Sequence, residues 1–143
     1  MKYAIGIDIG TSGTKSAIYD NTGNLIASYT VEYSLYQPQN GYAEQEPSDW
    51  WNATVTSIKD ILKNSNISPE DIVGVGLSGQ MHGLVMLDEN GEVIRPSIIW
   101  CDSRTGAECD EITALVGKDR LIEITANPAI AGFTAAKIMW IKK

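Results

Sequence analysis

A glycine- and hydroxyl-rich segment near the N-terminus carries residue types that bind phosphate. Residues 6–15 run Gly-Ile-Asp-Ile-Gly-Thr-Ser-Gly-Thr-Lys, so a predicted strand ends in a tight turn soon after Asp8. Glycines let a backbone approach a ligand closely, while hydroxyl and amide groups donate to phosphate oxygens. The residues predicted to contact phosphate are Gly10, Thr11, Ser12, Gly13, Thr14 and Lys15.

Asp8 has a separate predicted role facing a metal ion. A carboxylate at this position can hold Mg²⁺ through water, and Mg²⁺ neutralises charge on a transferring phosphoryl group. The plain alternative is an ordinary hairpin with a capping aspartate. Residues 6–15 contain neither Gly-x-x-x-x-Gly-Lys-Ser/Thr nor Gly-x-Gly-x-x-Gly, so the turn is neither a P-loop nor a dinucleotide-binding turn.

A second polar segment, Gly-Gln-Met-His-Gly at residues 79–83, follows another predicted strand. It contains His82, the only histidine in the sequence. An imidazole both donates and accepts hydrogen bonds, as sugar hydroxyls require, although a lone histidine is more often structural. Further on, Asp102 and Arg104 either border a sugar or form a local ion pair that caps the following helix, and the sequence leaves both open.

The elements around these motifs predict a mixed α/β domain. Tyr3–Ile9, Thr14–Tyr19 and Leu25–Tyr33 alternate in polarity and are separated by turn residues, which predicts a three-stranded antiparallel meander. A helix beginning at Pro47 is predicted to cover one face of this sheet. Its apolar residues at helical spacing are Trp51, Val55, Ile58 and Leu62.

The second half of the chain predicts one more strand, a hairpin and two helices. Ile72–Ser78 is apolar and contains glycines, which predicts a buried strand close to another backbone. Leu84–Leu87 and Glu92–Ile94 predict a hairpin. Helical periodicity runs through Ile112, Leu115 and Val116, and another helix is predicted from Thr134. The four tryptophans are predicted to be core or interface residues rather than sugar-stacking platforms: Trp50, Trp51, Trp100 and Trp140.

Composition limits the classes of partner. With 143 residues and 43% apolar content, one domain is the default expectation. A net charge of -7 argues against a nucleic-acid or membrane partner and favours a small molecule. A carboxylate at residue 8 would interrupt a signal peptide, and no apolar run approaches the ~20 residues of a membrane span, so a cytoplasmic location is expected. Cys101 and Cys109 lack metal or redox spacing and are predicted to be free thiols.

Residues 6–15 resemble the first phosphate motif of the actin-like ATPase superfamily. Residues 79–83, together with Trp-Cys-Asp-Ser-Arg-Thr at 100–105, resemble the FGGY carbohydrate kinases. The likeness runs along the whole chain and includes Glu-Gln-Glu-Pro-x-x-Trp-Trp at 44–51 and Gly-Phe-Thr-Ala-x-Lys at 132–137. It implies an α/β fold of the actin-like ATPase (ribonuclease H-like) class, in which a mixed sheet begins with an antiparallel three-stranded meander and is flanked by helices.

The resemblance also implies an activity. Members of this family use ATP and Mg²⁺ to phosphorylate sugars, and Gln-Met-His-Gly is most similar to the branch that acts on the ketopentose D-xylulose. It implies that Met81 and His82 contact the sugar and that Gln80 orients their loop. The expected partners are ATP and a sugar, and the full-length enzyme could be a homodimer.

In this family the general-base aspartate and the adenosine pocket belong to later segments, which are not found in residues 1–143. We therefore expect the chain to be the truncated N-terminal domain of a kinase, without a second actin-like domain and inactive alone. Three alternatives stay open at this stage. They are a non-catalytic actin-like nucleotide-binding module, an FGGY kinase for ribulose, gluconate or glycerol, and a plain structural domain.

Overall fold

The computed structural model describes all 143 residues. They form two compact units, one made of residues 1–35 and 46–80 and the other of residues 36–45 and 81–143. None of the helices has both the length and the apolar character needed to cross a membrane. The regular elements in chain order are β1 Tyr3–Ile9, β2 Gly13–Asp20, β3 Leu25–Glu32, β4 Glu44–Gln45, α1 Pro47–Ser65, β5 Ile72–Gly79, β6 Ser97–Ile98, α2 Gly106–Val116, α3 Lys118–Thr125 and α4 Thr134–Lys142.

The first unit contains a four-stranded sheet in the order β3-β2-β1-β5. β1 is antiparallel to β2 and parallel to β5, and β2 is antiparallel to β3. The predicted meander is therefore confirmed, and the sheet is mixed. Its register places Asp8 opposite Lys15 on the neighbouring strand. These two charged side chains consequently share one face of the sheet.

Helix α1 covers the other face over β2 and β3, as predicted. Ile61 packs there with Ile5, Ile7 and Ile18 of the sheet. The helix line in closest contact is Ala53, Ser57 and Ile61, whereas Trp51 is 70% exposed. Ile58 and Leu62 of the predicted stripe pack against this core, whereas the predicted contact of Trp51 is wrong. Small side chains such as Ala53 let the helix approach the sheet closely.

Strand β5 forms as predicted, but within residues 1–143 it is exposed, which the sequence did not predict. Val73, Val75 and Leu77 are exposed, and side chains at Gly74 and Gly76 would meet no atom within 4 Å. The physical reason is position, because β5 is an edge strand bonded only to β1 while α1 lies over β2 and β3. Apolar composition predicted a strand but not what covers it.

The second unit contains a two-residue ladder between β4 and β6 and three helices. The predicted hairpin forms in part. Leu87 and Val93 make an antiparallel bridge, and the Ile94 N–H donates to the Met86 carbonyl at 3.0 Å. Neither arm is a regular strand, and Leu84 pairs instead with Ile98. The predicted helices α2 and α4 are confirmed. Helix α3 was not predicted, because Lys118, Asp119 and Arg120 leave its apolar pattern too short to recognise.

The four tryptophans differ in how deeply they are buried. Trp50 and Trp140 are half-buried, whereas Trp51 and Trp100 lie on the surface of this chain. Trp51 and Trp100 are therefore not core residues of this chain, and their place at an interface stays a prediction. Both cysteines are free thiols, as predicted.

Candidate functional site

The turn at residues 10–13 is closed by backbone hydrogen bonds and held from both sides. The Gly10 N–H donates to the Gly13 carbonyl at 3.0 Å. From the end of β3, the Tyr33 hydroxyl donates to the Gly10 carbonyl at 2.5 Å and the Tyr33 N–H to the Ser12 carbonyl at 3.3 Å. From the end of β5, the Gln80 side-chain amide donates to the same Gly10 carbonyl at 3.5 Å. The turn is thus shaped before any ligand arrives.

The two glycines of the turn have structural reasons of their own. A Cβ on Gly13 would lie 2.6 Å from the Val31 carbonyl oxygen, and a Cβ on Gly10 would lie 3.3 Å from the Gly13 carbonyl oxygen. Neither glycine has a positive φ. Close packing against β3 therefore explains why position 13 is a glycine even without a ligand. The sequence had suggested instead that glycine lets a ligand approach the backbone.

The side chains of the turn differ in what they offer to a ligand. Asp8, Ser12 and Lys15 are exposed and Thr11 is half-buried. Thr14 is fully buried, and its hydroxyl lies 3.5 Å from that of Tyr33. The prediction that the Thr14 hydroxyl contacts phosphate is therefore corrected, because the strand alternation of β2 points this side chain into the core.

Asp8 and Lys15 line an open groove of about 440 Å³ on the sheet face opposite α1. The groove is also lined by Gly6, Gly76 and Ser78. No group of three potential metal-ligating side chains occurs in the chain. Mg²⁺ typically keeps several waters and binds through one or two carboxylates together with substrate phosphates. The exposed Asp8 carboxylate fits that mode.

Tyr33 links the turn to this carboxylate electrostatically. Burial raises the pKa of the Tyr33 hydroxyl, and the negative charge of Asp8 raises it further, against the opposing hydrogen bond from Thr14. The hydroxyl therefore stays protonated and remains a donor to Gly10. Sequence reasoning missed Tyr33, although its place at the end of a predicted strand, opposite the turn, was a usable signal.

His82, in the second unit, combines an exposed side chain with an unusual backbone. Its φ is 61°, in the left-handed region that few non-glycine residues adopt. Its imidazole stacks on the Phe133 ring with centroids 4.1 Å apart and planes 23° apart. Its carbonyl accepts from Lys137 Nζ at 2.7 Å and from the Thr134 hydroxyl at 3.2 Å. The neighbouring Met81 is exposed.

Asp102 and Arg104 form the ion pair that the sequence left as one of two alternatives. Asp102 is 1% exposed, and its carboxylate accepts from the Ala43 N–H and from the Arg104 side chain and backbone. Burial alone would raise the pKa of Asp102, but the hydrogen bonds from Arg104 and Ala43 outweigh it and hold the pKa below its ordinary value. Both carboxylate oxygens are committed to protein donors, so the geometry favours the structural alternative.

Arg104 extends this pair into a larger cluster. Its guanidinium also pairs with Glu44 at 2.7 Å and lies 3.7 Å from the Tyr42 ring centroid. Arg95 pairs with the same Glu44 carboxylate and lies over Trp140. Asp102 does not form the predicted helix cap. The N-cap residue of α2 is Thr105, whereas the Asp102 carboxylate accepts from the N–H of Arg104, one residue before that cap.

The predicted site residues fall into two groups. Asp8 to Lys15 and Gln80 belong to the first unit, whereas Met81, His82, Asp102 and Arg104 belong to the second. In the sequence, residues 132–137 contribute only to the family resemblance, and no role is predicted for Phe133 or Lys137. The usable signal for Lys137 was a lysine among the apolar residues of a predicted helix.

Comparison with known proteins bears on this arrangement. Residues 3–143 match the family described as FGGY family of carbohydrate kinases, N-terminal domain. The xylulose kinase of Staphylococcus xylosus is 43% identical over 142 residues, which is 99% of this chain and 29% of that protein. The xylulose kinase of Bacillus subtilis (strain 168) is 42% identical over 143 residues, which is 100% of this chain and 28% of that protein.

A solved structure agrees with these relatives. The crystal structure of xylulose kinase from Rhodospirillum rubrum superposes with a TM-score of 0.92 at 29% identity, covering 99% of this chain and 29% of that one. The fold is therefore that of the actin-like ATPases, as the sequence predicted. The chain belongs to the FGGY family of carbohydrate kinases, and it spans less than a third of the length of the relatives that it matches.

Proposed function

We propose that this chain is the N-terminal part of a kinase that transfers the γ-phosphoryl group of ATP to a ketopentose, D-xylulose, giving D-xylulose 5-phosphate. The observation that carries the proposal is the preformed turn at residues 10–13 beside the exposed Asp8. The sugar is assigned from the two xylulose kinases that are 42–43% identical over essentially the whole chain.

The phosphate side of the proposal rests on the first unit. Phosphoryl transfer is catalysed mainly by positioning and by neutralising charge. Backbone groups of the turn and the Ser12 hydroxyl would bind phosphate oxygens, and Lys15 would add a positive charge on the same face. Asp8 would hold Mg²⁺ through water, and the ion supplies charge neutralisation on the phosphates when bound.

The sugar side rests on the second unit. The exposed His82 imidazole would exchange hydrogen bonds with sugar hydroxyls, and the Phe133 ring fixes its plane. Met81, which is 56% exposed, would pack against the carbon chain of the sugar. Asp102 and Arg104 support the unit through their buried ion pair and have no direct contact with the sugar in this proposal.

We also propose that residues 1–143 alone do not turn over ATP with sugar. Nucleotide, metal ion, base and acceptor must be held together for transfer, and no side chain of residues 1–143 has a predicted role as the base. Cytoplasmic location and homodimer formation stay predictions for the full-length protein.

The test is a coupled assay of ADP release by the full-length protein and by residues 1–143, with D-xylulose, D-ribulose, gluconate and glycerol as acceptors. We expect the highest kcat/KM for D-xylulose with the full-length protein and no turnover by residues 1–143. A higher kcat/KM for another acceptor would reassign the substrate. ATP binding with no phosphorylation of any acceptor would support a non-catalytic nucleotide-binding module instead.

A further inference from the structure

Lys137 is a fully buried cation on helix α4. Its ammonium donates to two backbone carbonyl oxygens, those of His82 and Gly132, each at 2.7 Å. It forms no salt bridge with a carboxylate anywhere in the chain. The ammonium is therefore solvated by carbonyl groups of two loops and links them to each other.

Burying this charge is unfavourable, so its contacts need an explanation. Burial lowers the pKa of Lys137 to about 8, with a contribution from Arg104, although the charges of Asp102 and Cys101 oppose the change. An apolar side chain of similar length would fill the same space without the desolvation cost. Hydrogen bonds from a charged donor, in contrast, are roughly twice as strong as neutral ones. What Lys137 provides, and an apolar residue would not, is a fixed position for the two carbonyl groups that it binds.

One of those carbonyls belongs to His82, whose left-handed backbone is uncommon for a residue with a side chain. Residues 132–137, here called the clamp, surround this residue. Lys137 and Thr134 hold its carbonyl, and Phe133 packs against its ring. The clamp thus holds both the backbone and the ring of His82, and the imidazole remains exposed to solvent.

We infer that Lys137 is a positioning residue for His82, holding its backbone in the conformation that presents the imidazole to a polyhydroxylated ligand. This inference rests on the proposed sugar-binding function of His82. Lys137 itself touches neither the sugar nor the nucleotide in this assignment. Its effect passes through the His82 carbonyl, with Thr134 as the second donor to the same atom.

The structural part of the inference can be tested without any activity. Because His82 is the only histidine of residues 1–143, its imidazole gives a single set of NMR signals in this chain. Stacking on Phe133 should shift the ring protons upfield of those of a free imidazole. We expect Lys137→Met to move these signals toward the free values and Lys142→Met, on the exposed side of the same helix, to leave them in place. Unchanged signals in folded Lys137→Met protein would overturn the inference.

Thr134→Val provides a second variant that does not create a buried void. It removes one of the two donors to the His82 carbonyl and keeps the shape of the side chain. We expect a smaller shift of the same ring signals in the same direction. If Lys137→Met does not fold, this variant decides the matter: a shift supports the clamp, and identical signals overturn it.

Kinetics of the full-length protein test the functional part. We expect Lys137→Met to raise KM for D-xylulose about tenfold, as for the loss of a charged hydrogen bond, with KM for ATP within about twofold of wild type. Equal losses toward both substrates would indicate a merely structural lysine and overturn the inference. If the wild-type protein phosphorylates no sugar, the proposed function fails, and the NMR result still decides whether Lys137 positions His82.

Discussion

The Tyr33 hydroxyl donates to the Gly10 carbonyl oxygen at 2.5 Å, so the residue after β3 holds the first residue of the turn after β1. The same turn is closed by the Gly10 N–H bond to Gly13. Its shape is consequently determined by the neighbouring strand as well as by its own glycines. A mutation at residue 33 should therefore weaken phosphate binding although residue 33 itself does not contact the phosphate.

Tyr33→Phe tests this relationship. It leaves the Gly10 carbonyl with only the Gln80 amide as side-chain donor, at 3.5 Å. We expect KM for ATP in the full-length kinase to rise about threefold to tenfold. Stability should fall by about 1–3 kcal/mol, because the bond to Gly10 is lost and the buried Thr14 hydroxyl loses its acceptor. Tyr29→Phe, at an exposed position on β3, is the matched control and should change neither value. An unchanged KM for ATP in Tyr33→Phe would show that the turn keeps its shape unaided.

The predictions that succeeded from sequence were those set by local chemistry. Alternation and turn residues fix the meander, and Pro47 fixes the start of α1, because both signals act over a few residues. The exposure of β5 and of Trp51 was not predictable in this way, since burial depends on which element covers a residue. The same holds for the candidate site, where the motif predicts a role for His82 but no local pattern indicated its contacts with Phe133 and Lys137.

Gly13→Ala tests whether the turn glycine serves packing. The added methyl would lie 2.6 Å from the Val31 carbonyl oxygen, so β2 and β3 would have to move apart. We expect a loss of about 1–3 kcal/mol in the free energy of unfolding, typical of overpacking. Gly76→Ala on β5 is the matched control, because its methyl would meet no atom within 4 Å. Equal stability of the two variants in urea titrations would refute the packing explanation.

Asp102→Asn tests the buried ion-pair cluster. The change leaves Arg104 without one of its two carboxylate partners in a buried position, which should cost about 3 kcal/mol. Asp110→Asn, at an exposed position of α2, should cost less than about 0.5 kcal/mol. Thermal or urea unfolding of the two variants measures the difference, and a small loss at Asp102 would contradict the structural assignment.

The same carboxyl predicts a dependence of stability on pH. The pKa of Asp102 is lower in the folded chain than in the unfolded chain, so the folded state binds fewer protons in that range. Its contribution is complete above the unfolded pKa of about 3.9 and is lost as the pH falls through the lower folded pKa. We expect the acid-induced loss of stability below about pH 4 to be smaller in Asp102→Asn. Parallel curves for wild type and variant would exclude this linkage.

Asp8→Asn tests the metal-facing role in the full-length kinase. A carboxylate directed at Mg²⁺ acts on charge that develops during transfer, so kcat should fall at least about tenfold with little change in KM for D-xylulose. Raising the Mg²⁺ concentration should restore part of the rate if the ion is bound more weakly. A kcat equal to that of wild type across the Mg²⁺ titration would remove Asp8 from the mechanism.

The last prediction concerns the imidazole of His82. If it hydrogen-bonds the bound ketopentose, His82→Ala in the full-length enzyme should cost on the order of 1–3 kcal/mol in kcat/KM for D-xylulose. KM for ATP and any slow hydrolysis of ATP without sugar should stay close to wild type, because the phosphates are assigned to a different turn. The same change removes the stacked contact with Phe133, so a second variant is needed to distinguish loss of the imidazole from a change in the backbone.

His82→Asn makes that separation, since asparagine tolerates the left-handed backbone at φ 61° better than most residues. Both variants should have a lower kcat/KM for D-xylulose. The melting temperature of His82→Asn should stay closer to wild type than that of His82→Ala. Melting temperature and both KM values are to be measured on one preparation of each variant, with D-xylulose and D-ribulose as acceptors. If His82 only supports the fold, its replacement should lower the melting temperature and impair the kinetics of both substrates together. Equal losses toward ATP and sugar, or no loss toward D-xylulose, would therefore overturn the assignment of His82 as a sugar contact.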